Sequence, residues 1–162
     1  MVSEPRLRAG VRALIVDDDD HVLLCRWDFP DMNVWGTPGG GIEPGETQAQ
    51  ALRRELDEEV GLQVAAEPPH VWHQVIVARD HIPGFDGVLN DFFLVRTPRF
   101  TPRGSLSDEQ LAAENLMDLR WWSLDELESY VGAEVFAPRD MAVLLSSLLR
   151  QGPPVEPVAV GL

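Results

Sequence analysis

The sequence predicts an α+β fold, a mixed β-sheet covered by helices, and three observations carry that expectation. Short apolar runs with strand character come first, in "GVRALIVDDDDHVLLCRW". One helix with a clear start and stop follows, and further strands separate it from two helices near the C-terminal end. At 162 residues the chain has the length of a single domain with a substantial core. That domain is assigned to residues 1–150, with 151–162 as a proline-rich tail, loose or draped on the surface.

Taken in order, Val11–Val16 and His21–Trp27 read as two strands around the acidic turn Asp17–Asp20. Four aspartates in a row lack the glycine and distal glutamate of an EF-hand loop, so a solvated hairpin turn is expected rather than a calcium site. "DFPDMN" is a loop, and Trp35–Gly41 is an extended segment running into a glycine turn. Thr47 caps a helix, with Gln50 placed to complete a capping box, and Gly61 stops it. "LQVAA", "VWHQVIVA", "GVLNDFFLV" and "DLRWW" read as strands. Ser123 and Glu126 open the helix "LDELESYV", and a last helix is expected from near Pro138 through "RDMAVLLSSLLR".

Charge narrows the partners. The chain carries 27 acidic against 13 basic side chains, a net charge of -14. Binding a nucleic-acid backbone or an anionic membrane needs clustered Lys and Arg. Polymeric nucleic acid and membrane are therefore not expected as partners. A small phosphorylated substrate remains open if cations bridge the two sets of negative charge, and a homodimer remains open as an assembly. The single cysteine, Cys25, lies in an apolar run and reads as a buried small hydrophobe. No apolar leader opens the chain and no run is long enough to span a bilayer, so a cytoplasmic location is expected.

The helix Thr47–Val60 poses the functional question. On a wheel, Ala49, Leu52, Leu56 and Val60 form the side that packs on the sheet. Glu55, Glu58 and Glu59 crowd an adjacent arc, with Arg54 alone flanking them while Arg53 projects away. Like charges at this spacing repel. Oxygen ligands clustered on one rigid element are what a hard divalent cation needs, so a metal site is the expected compensation. The preceding "TPGGGIEPGE" places Gly39 and Gly40 where the backbone bends or approaches a ligand, and a carbonyl from either is a further candidate ligand.

From Gly40 the spacing runs five residues to Glu46, seven more to Arg54-Glu55-Leu56, then Glu58-Glu59 and Gly61-Leu62. This resembles the signature of the Nudix hydrolases (MutT-like), with every specified position filled. The flanking strands and "LRWWSLDELESY" extend the likeness to most of the chain. The resemblance implies an α/β/α sandwich with a loop–helix–loop catalytic motif. It further implies hydrolysis of a nucleoside diphosphate linked to another moiety, with Mg²⁺ or Mn²⁺. By that likeness Glu55, Glu58 and Glu59 are metal ligands, one of them also the base for the attacking water, and Arg54 orients a glutamate. Glu46 is a supporting carboxylate and Gly40 supplies loop geometry. A later acid often completes such sites, and Asp108, Glu109 and Glu114 are the candidates. The alternative from another class is a Nudix-like module that binds a nucleotide without cleaving it.

Among other residues, Phe29 and Trp35 lie nearest the expected chemistry as platforms for a base. His70 and His73, three apart, fall on opposite faces of a strand, so a shared metal is not expected there. Tyr130 is read as structural. The tyrosine typical of dinucleoside-polyphosphate hydrolases and the proline typical of many ADP-ribose pyrophosphatases are absent from the region of Val77, Ala78, Arg79 and Asp80.

Overall fold

The computed structural model describes residues 2–162. Strands β1 (Leu7–Val16) and β2 (Val22–Asp28) are antiparallel around the acidic turn. That turn is organised rather than merely solvated. Asp17 is 1% exposed and accepts hydrogen bonds from the backbone N–H groups of Asp19 and His21 and from Arg99. Burial alone would raise its pKa, but these donors outweigh burial and hold it below its usual value.

Strands β3 (Asn33–Gly36) and β4 (Gly39–Gly41) lead to helix α1 (Gln48–Glu59). The capping box forms as expected: Gln50 N–H donates to Thr47 Oγ1 at 3.1 Å, and Thr47 N–H donates to Gln50 Oε1 at 2.9 Å. Gly61 follows the helix at φ +74°. Its buried face is rotated slightly from the expected one. Ala51 is buried in place of Ala49, and Glu55 and Glu59 lie on the buried edge.

Strands β5 (His70–Ile82) and β6 (Phe85–Arg96) form a long hairpin. After it come α2 (Asp108–Ala113), β7 (Leu116–Trp122), α3 (Leu124–Ser129), β8 (Val135–Ala137), α4 (Met141–Gln151) and β9 (Val158–Val160). The strands make a nine-stranded mixed sheet in the order β8-β3-β2-β1-β6-β5-β9, with β4 on β1 and β7 on β2. The pairs β1–β6, β3–β8 and β5–β9 are parallel.

Two apolar clusters cover opposite sheet faces. On one, Ala51, Leu52, Leu56 and Val60 meet Val11, Ala13, Ile15, Leu23 and Phe93. On the other, Leu127, Met141, Leu145 and Leu148 of α3 and α4 meet Leu14, Leu24, Trp72, Phe92 and Trp122. Helices on both faces give the helix–sheet–helix sandwich, an α+β arrangement. Among the described residues no helix is long and apolar enough to cross a membrane.

Five local expectations change. "LQVAA" is not a strand: Leu62 and Val64 pack against the α1-side core without a ladder partner, and Pro68 and Pro69 follow. The segment "SLSDEQLAAEN" contains α2, capped by Ser107 and Gln110 as α1 is by Thr47 and Gln50. Helix α4 starts at Met141, later than Pro138. The tail is docked rather than loose, because β9 pairs with β5 and Gln74 Nε2 donates to Gly161 O at 2.7 Å. Finally, a bulge at Val71 pairs His70 with Phe93 and Trp72 with Phe92, which turns His70 to the face occupied by His73.

Candidate active site

The glycine strand lies between the first strand and the glutamate helix. In β4, Gly39 pairs with Arg12, Gly40 with Val11 and Gly41 with Gly10. Gly39 has φ +142°, and a Cβ there would overlap Val11 O. A Cβ on Gly40 would overlap Glu55 Oε1, so only glycine lets the carboxylate lie against the backbone. The Gly39 N–H donates to Glu59 Oε2 at 3.0 Å. Helix and glycine strand are thus joined through the carboxylates themselves.

Arg54 binds the other side of the cluster. Its Nε and Nη2 donate to the two oxygens of Glu46 at 2.7 and 2.9 Å, a forked pair. Its Nη1 donates to Glu55 Oε1 at 2.9 Å and lies 3.5 Å from Glu58 Oε2, while Nη2 also donates to Gly41 O at 3.0 Å. The Arg54 hydrogen bonds, with the Glu43 N–H, pull the Glu46 pKa down to about 2. Glu46 is therefore engaged as the partner of Arg54 on the outer side of the cluster.

One arginine does not neutralise four carboxylates. Glu59 is 3% exposed. Burial first, then the negative charges of Glu55 and Glu114, push its pKa up to about 8, against the opposing pull of Arg12 and the Gly39 N–H. Burial and the neighbouring Glu55 also raise the pKa of Glu58. Both shifts express one fact: negative charge is held here at a cost, and a cation would relieve it. The donor set is all oxygen, which fits Mg²⁺ or Mn²⁺.

Glu55 and Glu59 line a cavity of about 640 Å³. Arg8, Arg12, Trp27, Phe29, Gln74 and Asn90 line it together with Gly39, Gly40, Glu55, Glu59 and Glu114. Arg12 Nη1 donates to the carbonyls of Thr37 and Gly39 at 3.3 and 3.2 Å, and its guanidinium lies over the Trp27 ring. Asn90 Nδ2 donates to Gln74 Oε1 at 3.0 Å, and Gln74 in turn is held by the carbonyl of Gly161, so the tail braces this wall.

Most residues singled out from sequence meet here. Gly39, Gly40, Glu55 and Glu59 share the cavity with Phe29 and Glu114, whereas Glu58 lines a second cavity with Arg54, Glu55 and Glu114. Glu114 is the C-cap of α2, which directs it to the glutamates, whereas Asp108 pairs with Arg103. Trp35 does not line the cavity. It is 3% exposed and packs edge-on against Trp122, 5.2 Å between ring centres. Strand alternation is the reason: Val34 and Gly36 face the cavity, which sends Trp35 into the core. Trp27 takes its place as the second aromatic. Arg8 and Arg12 were missed, although Arg8, Gly10 and Arg12 alternate along one strand in a chain with few cations. Cys25 is fully buried, and burial raises its thiol pKa, in keeping with a structural residue.

The NUDIX domain family matches residues 6–142. The chain is 34% identical over 134 residues to a protein named RNA pyrophosphohydrolase from Rickettsia rickettsii (strain Sheila Smith), covering 76% of this chain and 80% of that protein. The MutT NUDIX hydrolase from Burkholderia pseudomallei superposes with a TM-score of 0.61 at 25% identity, covering 87% of this chain and 97% of that one. A NUDIX hydrolase from Nitrosomonas europaea shares the fold with a TM-score of 0.66 at 20% identity, covering 91% and 93%. The chain belongs to the Nudix hydrolase family.

Proposed function

We propose that this hydrolase is a divalent-metal-dependent pyrophosphohydrolase acting on a small nucleoside diphosphate linked to another moiety. One observation carries the reading: from a carboxylate cluster with unrelieved charge, Glu55 and Glu59 line a cavity bordered by Arg8 and Arg12. In this reading Glu55, Glu58 and Glu59 hold Mg²⁺ or Mn²⁺ beside Gly40. When bound, the ion lowers the pKa of water and neutralises charge on the phosphate oxygens.

The chain's own residues do the rest. Arg54 fixes the orientation of Glu55, and Glu46 fixes Arg54. Arg8 and Arg12 supply positive charge for phosphate oxygens, and Phe29 and Trp27 offer aromatic faces for a base. Glu114, at the end of α2, adds a carboxylate near Glu55 and Glu59. One of Glu55, Glu58 and Glu59 takes the proton as water attacks phosphorus and the bridging P–O bond breaks, and Glu59, held by the Gly39 N–H, is the one tested below.

A second reading has its own support. The Rickettsia relative is named RNA pyrophosphohydrolase, so an RNA carrying a phosphoanhydride is a rival substrate. The net charge of -14 favours the small substrate, because little basic surface is left to hold a polymer. Incubation with Mg²⁺ and a panel of nucleoside diphosphate conjugates, plus a short triphosphorylated RNA, tests both. Release of nucleoside monophosphate that is lost in Glu59→Gln supports the proposal, and turnover of the RNA alone favours the rival. Saturable nucleotide binding without turnover returns the non-catalytic module, and unchanged hydrolysis in Glu59→Gln refutes a proton-accepting role for this residue.

A further inference from the structure

On the α1 side of the β5–β6 hairpin, three metal-ligating side chains converge that the hydrolytic reading does not use. His73 Nδ1 lies 2.7 Å and His70 Nε2 2.9 Å from the same oxygen, Asp91 Oδ1. Among the described residues this is the group whose three candidate ligand atoms all fall within 4.8 Å. The bulge at Val71 creates it. Without that extra residue His70 would face the opposite core, where Val71 and Trp72 now lie.

We propose that His70, His73 and Asp91 form a second metal site, for a zinc-type divalent cation, distinct from the glutamate cluster. Two imidazoles and one carboxylate suit Zn²⁺ and its neighbours, whereas Mg²⁺ favours oxygen ligands, so the two clusters sort ions by donor chemistry. Three protein ligands with an open fourth position is a recurring zinc arrangement. Both imidazoles are partly exposed, giving an ion a route in, while Asp91 is largely buried.

The surroundings orient the donors. Gln48 Nε2 donates to Asp91 Oδ2 at 2.6 Å, which leaves Oδ1 for the ion. The His70 ring is stacked on Phe93 with 5.0 Å between centres. Metal–ligand bonds of about 2.0–2.1 Å require the nitrogens to draw back from Oδ1 by roughly half an ångström, a small side-chain rotation. Ligation uses Nδ1 of His73 and Nε2 of His70 as lone-pair donors, so His70 Nε2 must also turn from the Trp72 carbonyl, now 3.1 Å away. The site would tie β5 and β6 to the first turn of α1, one residue pair along from Gln74 and Asn90 in the cavity.

The test is a Co²⁺ titration of the full chain with Mg²⁺ in excess to occupy the glutamates, followed by visible absorption. The expected result is one equivalent of Co²⁺ with ligand-field bands, displaced by Zn²⁺. Those bands are lost in His73→Ala and His70→Ala and kept in the double variant Glu58→Gln/Glu59→Gln. Circular dichroism confirms that the histidine variants are folded, and His73 is the more exposed of the two. Bands that persist in both histidine variants, bands that vanish only in the glutamate variant, or no saturable Co²⁺ binding would each overturn the proposal.

Discussion

Replacing Glu59 with glutamine separates what this carboxylate costs the fold from what it contributes to the site. In the metal-free protein its pKa is about 8, against 4.5 for a free glutamate. Between those values the folded state keeps a proton that the unfolded state has lost. Stability therefore falls as pH rises through this window. The difference of about 3.5, at about 1.36 kcal/mol each, gives a loss of about 5 kcal/mol by the time the group is ionised in both states. For a chain of this length that is about 10–20 °C in Tm. Glutamine has no proton to lose and can still accept from the Gly39 N–H. In chelator, Glu59→Gln should therefore match wild type near pH 5 and melt above it near pH 9. Saturating Mg²⁺ should raise the wild-type Tm at high pH and leave the variant nearly unmoved. Differential scanning fluorimetry across pH, with and without Mg²⁺, reads both effects. Parallel pH profiles for the two proteins would show that Glu59 does not hold an extra proton in the folded state.

The remaining expectations use the same geometry. Arg54→Lys keeps the charge but not the fork that holds Glu46 and Glu55, so kcat should fall by about 100-fold with little change in Tm; undiminished kcat would remove Arg54 from the site. Gly40→Ala puts a methyl group on Glu55 Oε1 and should lower kcat by about 100-fold, with a normal circular dichroism spectrum as the control. Trp35→Ala should destabilise by about 3–5 kcal/mol, read by urea unfolding, because Trp35 is core. Phe29→Ala should leave stability unchanged and raise KM by about tenfold, as a lost stacking face implies.

Legibility in the sequence followed the range of the interactions. Helix α1 could be read to its cap, because Thr47, Gln50, the apolar stripe and Gly61 are local signals. That Glu55, Glu58 and Glu59 lie on adjoining arcs of α1 followed from helical periodicity alone. Glu46 was visible as part of the pattern, but its capture by Arg54 depends on how the glycine turn folds back. Trp35 was misplaced because nearness in sequence to the glycines says nothing about which face a strand residue takes. The His70–His73 pair was misread because a bulge at Val71 is a decision of the β5–β6 pairing, invisible in one strand. Ser107 and Gln110 spelled the same capping box as α1, and that signal was available for α2. Strand β9 was hidden because a short parallel edge strand takes its meaning from a partner about 85 residues away, at Trp72–Gln74.

The most direct test of the central claim is an anomalous difference map from a crystal soaked in Mn²⁺. The expected result is a peak within bonding distance of carboxylate oxygens from Glu55, Glu58 and Glu59, beside β4. A map with no peak among those carboxylates, at an Mn²⁺ concentration that supports full turnover, would contradict it.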